Sequence, residues 1–148
     1  MKSFPRYTHL ISATLHRCHV TDLNGRYGLP LTNAEEVARF HDLQSGQPYL
    51  TRRGLDEMSA RGLDLAAFEA EADLDEGLFG DHLRRILLRL SQDADLAAAV
   101  RAVLSGQPCP SPEAFYRLRS AGVLVGGSPS EARFRCRLYA TYLSRHLR

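Results

Sequence analysis

Three clusters in this chain combine residue types suited to chemistry. His16, Cys18 and His19 place two imidazoles and a thiol within four positions, a set that binds transition metals when a fourth ligand completes it. No nearby residue supplies that ligand, so no metal site is expected. Asp73, Asp75 and Glu76 crowd three carboxylates, the groups that general acid-base catalysis pairs. They have no flanking His, Cys or Gly-rich turn, and the stretch Glu69 to Glu76 reads as a solvated acidic linker. Arg117, Arg119, Arg133, Arg135 and Arg137 gather guanidinium groups that suit phosphate contacts. Six His and three Cys allow many nominal triads, but neither a G-x-S-x-G elbow nor an H-E-x-x-H pair is present. No catalytic residue is assigned, and the chain is expected not to be an enzyme.

Composition bounds the scaffold. At 148 residues with 44% hydrophobic and 24% charged residues, the chain suits one ordinary domain or two small ones. Cys18, Cys109 and Cys136 are odd in number and widely spaced, which predicts reduced thiols rather than a disulfide framework. No apolar run approaches spanning length, and no apolar core of signal-peptide length precedes His16, so a cytoplasmic protein without membrane contact is expected. Charge is uneven. Residues 1–78 carry 8 Lys/Arg against 12 Asp/Glu, and residues 79–148 carry 11 Arg against 5 acids, about −4 and +6, which suggests two functional surfaces.

The elements that must position these groups are mainly helical. Residues 1–31 show no sustained period, and only Tyr7 to Leu15 suggests a strand or short helix. Asn33 followed by Glu36 is a capping-box signature for a helix to about Gln44, with Gly46 as a left-handed stop. Pro48 opens a second helix that ends at Gly62, and Asp64 caps a third, with Leu63 and Phe68 spaced as a hydrophobic staple. A loop and subdomain boundary is expected at about 74–78.

Beyond it the periodicity sharpens. Phe79, Leu83, Ile86, Leu87 and Leu90 form one stripe, opposed by Arg84, Arg85 and Arg89. Asp93 and Ser111 cap the next two helices, which Gly106 and Gly122 terminate. Val123 to Val125, a turn at Gly126 to Ser130 and the alternating Arg133 to Cys136 then predict a β-hairpin, and a closing helix runs from Arg137 to Leu147. Leu83, Leu87, Leu90, Val100, Leu118, Leu138 and Tyr142 are expected to share one core. The reading is therefore a poorly readable segment (1–31), a helical subdomain (32–76) and a winged helix-turn-helix (77–148).

The segments LNGRYGLPL, SGQPYLTRRGL, GLFGDHLRRILLRLSQDADLAAAV, AFYRLRSAGVL and RCRLYATYLSRHL resemble the C-terminal half of bacterial AAA-like, STAND-type ATPases, over about residues 22–147. That resemblance implies a helical lid followed by a winged helix, the parts that follow a nucleotide-binding core in signalling and conflict-system proteins. It also implies that Gly46, Gln47 and Pro48 match a Gly-x-Pro lid element near adenine, so that Pro48 and Tyr49 would touch the base of a nucleotide held mainly by another core. The same residues are explained without ligand as a helix stop and a helix start. The family's G-x-x-x-x-G-K-[ST] loop is missing: Lys2 is the only lysine, and Gly126, Gly127 and Ser128 fall in the hairpin turn. Autonomous ATP hydrolysis and a resident cofactor are therefore not expected.

The resulting expectation is a non-catalytic regulatory module whose partner is a protein or a nucleotide-binding ATPase core. The alternative is a winged-helix DNA-binding regulator that uses Arg117, Arg119, Arg133, Arg135 and Arg137. Against it, the segment SPEAFYRLRSAG offers no Asn or Gln to read adenine.

Overall fold

Helix signals in the sequence translate closely into backbone, beginning where the first cap was not anticipated. The structure, a computed structural model, describes residues 15–147. The expectation for Tyr7 to Leu15 therefore lies outside the described residues except at Leu15. Among the described residues there are eight α-helices and one two-stranded antiparallel sheet, the mainly helical class with a small hairpin that the patterning predicts. The chain divides into two compact units, one ending at Glu71 and the other beginning at Ala72.

In the first unit, helix α1 (Arg17–Arg26) occupies sequence that showed no period. Only Val20, Leu23 and Asn24 are buried on it, too few to make a stripe. Asn24 is the unusual member: its amide donates to the Leu31 carbonyl (2.8 Å) and accepts from the Leu31 N–H (2.9 Å). A buried side chain thus satisfies the backbone of the following loop, where Leu29 takes a left-handed φ of 60°.

Helix α2 (Ala34–Gln44) starts as predicted, with Asn33 accepting from the Glu36 N–H (2.9 Å). The Glu36 carboxylate reaches one residue further back than a capping box requires, accepting from the N–H and hydroxyl of Thr32. Helix α3 (Pro48–Arg61) has Pro48 in its first turn and Gly62 at φ 66° beyond its end. Helix α4 (Leu65–Glu71) is capped by Asp64, which accepts from the Ala67 N–H (2.8 Å).

Phe40 of α2 and Phe68 of α4 stack at 5.1 Å in the core of this unit. Gly54 of α3 lies against both rings, where a Cβ would fall 3.0 Å from Phe40 and 3.1 Å from Phe68. Gln44 and Thr51 are completely buried, and their side-chain polar atoms have no hydrogen-bond partner among the described residues.

The second unit contains α5 (Gly80–Ser91), α6 (Ala94–Leu104), α7 (Pro112–Ser120), β1 (Leu124–Val125), β2 (Arg133–Phe134) and α8 (Arg137–Leu147). Asp93 and Ser111 accept from backbone amides of α6 and α7, as their N-cap positions predict. The hairpin pairs Leu124 with Phe134 and Val125 with Arg133. Leu83, Leu90, Val100, Leu118, Leu138 and Tyr142 are all buried. Leu87, expected with them, is only half-buried. At 100° per residue Leu83 and Leu90 lie within about 20° of each other, whereas Leu87 sits about 40° to one side. Leu87 is thus at the margin of the buried strip, and the adjacent Leu88 is 59% exposed.

Candidate functional site

Two open depressions concentrate polar chemistry, one in each unit. In the first unit, Tyr27 from the end of α1 and Pro48, Tyr49, Arg52, Arg53 and Asp56 from α3 line a cleft of about 610 Å³. The helical period explains this lining, because positions 48, 52 and 56 recur every four residues on one face. Pro48 and Tyr49, neighbours in sequence, both line this cleft, and Tyr49 is half exposed. Gly46 does not line the cleft. It has φ 71°, its carbonyl accepts from the Leu15 N–H (2.7 Å), and an added Cβ would collide with the Leu15 carbonyl oxygen. Its glycine is required by close backbone approach as well as by the helix stop.

Charge in this cleft is incompletely paired. Arg53 meets Glu57 at 3.6 Å. Arg52 and Asp56, one helical turn apart and both exposed, form no ion pair with each other or with any other described residue. Tyr27, Arg52, Arg53 and Asp56 were not singled out from sequence. The spacing 48, 52, 56 held a signal for the α3 residues; Tyr27 lay in the stretch without period.

In the second unit a groove of about 1050 Å³ runs between α5, α6 and α7 over an apolar floor that includes Leu90, Leu96 and Leu118. Its charged groups are only partly engaged: among the described residues Arg89 and Glu113 form no ion pair. Arg117 pairs with Asp93 at 2.9 Å. The Asp93 carboxyl is held below its ordinary value first by the Leu96 N–H it accepts, then by Arg117. Arg119 lies over the rings of Tyr116 (5.1 Å) and Phe115 (5.6 Å) and donates to the Gly126 carbonyl (3.0 Å). Of the five arginines considered for DNA, Arg133 and Arg137 are exposed, and Arg135 is half-buried with its N–H donating to the Val123 carbonyl (2.8 Å).

The acidic stretch is not the solvated linker that its composition suggests. Glu69 pairs with Arg39 (2.5 Å) and Glu71 with Arg61 (2.7 Å). Asp73 pairs with Arg145 (2.7 Å), and Asp75 accepts from the Tyr142 hydroxyl (2.6 Å) with His146 at 3.5 Å. The carbonyl of Asp75 also accepts from Arg84. Cations from distant positions neutralise a cluster whose own neighbours are acidic. Placing Asp73, Asp75 and Glu76 in the second unit also reduces the charge contrast read from the halves.

Other reactive groups are restrained or dispersed. Burial pushes the Cys136 thiol up to about 11, which disfavours its nucleophilic thiolate. His82 sits 2.7 Å from the Tyr139 hydroxyl, and burial, followed by the charge of Arg85, lowers its pKa. His16 and His19 have ring centroids 5.7 Å apart, and the His16 N–H donates to His19 Nδ1. Among the described residues no group of three or more His, Cys, Asp or Glu is arranged to hold a metal ion. Among them, too, no helix is long and apolar enough to cross a membrane.

Together these features define a mainly helical, two-unit module with an aromatic and charged cleft at the start of α3. The AAA-like domain family matches residues 10–145, reaching into both units, and the chain belongs to that family. No curated protein and no solved structure matches it.

Proposed function

We propose that the chain is a non-catalytic regulatory module related to the lid and winged helix of STAND-type ATPases, working with a nucleotide-binding core in bacterial signalling or conflict systems. In this reading the first unit serves as the lid, and the second, with its hairpin as the wing, serves as the restraint that docks on the core. The observation that carries the reading is the family match across residues 10–145, which spans both units. Pro48 and Tyr49 side by side in an open cleft support a contact to a nucleotide base. The core, not this chain, would hold the phosphates, since the sequence has no phosphate-binding loop.

DNA binding is the weaker reading. Arg117 and Arg119, the two guanidiniums of α7, are engaged by Asp93 and by the Tyr116 and Phe115 rings, so phosphate contacts there must compete with existing ones. The test is co-purification with the nucleotide-binding core encoded nearest to this chain, followed by ATP turnover of that core with and without it. Complex formation with a several-fold change in turnover is expected, with no turnover by the chain alone. Failure to bind the core, combined with submicromolar duplex binding that falls steeply with salt and is lost in Arg133→Ala/Arg137→Ala, makes the protein a DNA reader instead.

A further inference from the structure

The first unit leaves apolar surface at a place where its backbone is also strained. Among the described residues it exposes two large apolar side chains, Leu29 (64%) and Tyr49 (50%). Leu29 takes the left-handed φ of 60°, a conformation that favours glycine because a Cβ crowds the backbone there. The side chain recovers little of that cost by burial within this chain. The loop is nevertheless held firmly: the Leu29 N–H donates to the Asn24 carbonyl (2.9 Å), and the buried Asn24 amide clamps Leu31 two residues on. A strained, pinned backbone that presents an apolar side chain to solvent is a preorganised contact.

What surrounds Leu29 narrows the partner. Its neighbours Tyr27 and Pro30 line depressions against α3, Tyr27 with Pro48, Tyr49 and Arg52, and Pro30 with Met58 and Ser59. An apolar knob thus stands beside recesses of about 610 and 300 Å³. A surface that carries both knob and recess can fit a copy of itself related by a two-fold axis. The exposed charges of α3 obey the same symmetry. Arg52 and Asp56 stand two residues, or about 3 Å, on either side of the level of Gly54. A two-fold axis at that level lays α3 antiparallel on the partner's α3, with Arg52 facing the partner's Asp56 and Asp56 facing the partner's Arg52. The loop of Leu29, which reaches Met58 and Ser59, is carried toward the cleft that the partner's Pro48 and Tyr49 line.

We propose that this face of the first unit pairs with a second copy of the chain across a two-fold axis, with Leu29 entering the partner's cleft and Arg52 and Asp56 making reciprocal ion pairs beside it. The proposal goes beyond the module reading and does not depend on it. Leu29 supplies the apolar contact. Exposed ion pairs add little affinity but fix the register, because a parallel arrangement would set Arg52 against the partner's Arg52. A face of this extent suits a weak, concentration-dependent dimer.

The experiment is analytical ultracentrifugation of the full chain from about 10 μM to 1 mM. A reversible dimer with a dissociation constant of about 10–300 μM is expected, the weak end of specific association. Leu29→Asn introduces a residue that tolerates the left-handed conformation, so the variant should keep or raise the melting temperature yet weaken the dimer about 5- to 30-fold. Arg52→Asp and Asp56→Arg each set like charges across the axis, and each alone should weaken the dimer several-fold. Mixed in equal amounts, these two variants regain both opposite-charge pairs, and their heterodimer should approach the parent's affinity. Both positions are exposed, and a thermal melt checks that each variant is folded.

A chain that stays monomeric to about 1 mM overturns the inference. So does a dimer whose affinity is untouched by Leu29→Asn, and so does a mixture of the two charge variants that pairs no better than either one alone. The module reading stands or falls separately, because core binding and turnover are measured with the core present and self-association without it.

Discussion

The cleft of the first unit and the groove of the second contain the same kinds of residue, and the two depressions differ in how far their own arginines and aspartates pair with each other. Each has arginine, aspartate and tyrosine at an open depression. In the groove, Arg117 closes on Asp93, Asp93 also caps α6, and Tyr116 lies under Arg119. In the cleft, Arg52 and Asp56 form no ion pair among the described residues, which is also true of Arg89 and Glu113 at the groove. The units differ further inside: the buried Tyr142 of the second is bonded to Asp75, whereas Gln44 and Thr51 of the first are buried with no partner among the described residues. A count of arginines therefore overstates the binding capacity of the second unit, because internal partners already engage several of them. Recognition chemistry is better sought where the fold leaves charges unmatched.

The strongest way to break this comparison is to remove a buried ring of α7 behind the groove. Phe115 is completely buried and lies beneath Arg119, so Phe115→Ala should destabilise the protein by about 3–5 kcal/mol, measured by urea denaturation. A loss below about 1 kcal/mol would mean that the groove's aromatic support is not structural.

A smaller effect sharpens the account of the acidic stretch. Burial first, and then the hydrogen bond and charge of Asp75, raise the Tyr142 phenol from its usual 10 to about 12. The protonated phenol is therefore the form that folding favours. Its contribution is complete below pH 10 and is lost as pH rises toward 12. Tyr142→Phe should cost about 1.5–3 kcal/mol at neutral pH and flatten that alkaline loss. A variant as stable as the parent, with the same alkaline slope, would place Asp75 outside the stabilising network.

The unpaired interior of the first unit makes the opposite prediction. Thr51→Val keeps the shape and removes a hydroxyl buried with no partner among the described residues, so stability should rise by about 1 kcal/mol in a thermal melt. A loss of that size would show that the hydroxyl is bonded. The smallest effect belongs to the half-exposed pair in the groove: Arg117→Ala should cost less than about 1 kcal/mol, because solvent screens it. A larger loss would make the Asp93 cap depend on its arginine.

Legibility followed the range of the interactions. Asn33, Pro48, Gly62, Asp64, Asp93, Ser111 and Gly122 act on backbone within a few residues, so the helix ends they set were readable. The hairpin was readable because its change of period is also local. Helix α1 was not, since its hold on the fold comes through Asn24 and the Leu31 backbone rather than through a stripe. Of the residues lining the cleft, Pro48 and Tyr49 were visible as a motif, and Arg52 and Asp56 followed Pro48 at four-residue spacing on the same helix face.

The sequence by itself determined the mainly helical class, most element boundaries and the absence of a phosphate-binding loop within this chain, because each depends on residues close together along it. Tertiary structure alone decided that Asp73 and Asp75 are held by Arg145 and Tyr142, that Leu87 lies at the margin of the core, and that Tyr27 meets α3. Ion pairing, burial and cleft formation require groups from remote positions to arrive within a few ångströms of one another. Composition and periodicity carry no record of that distance until the helices have packed.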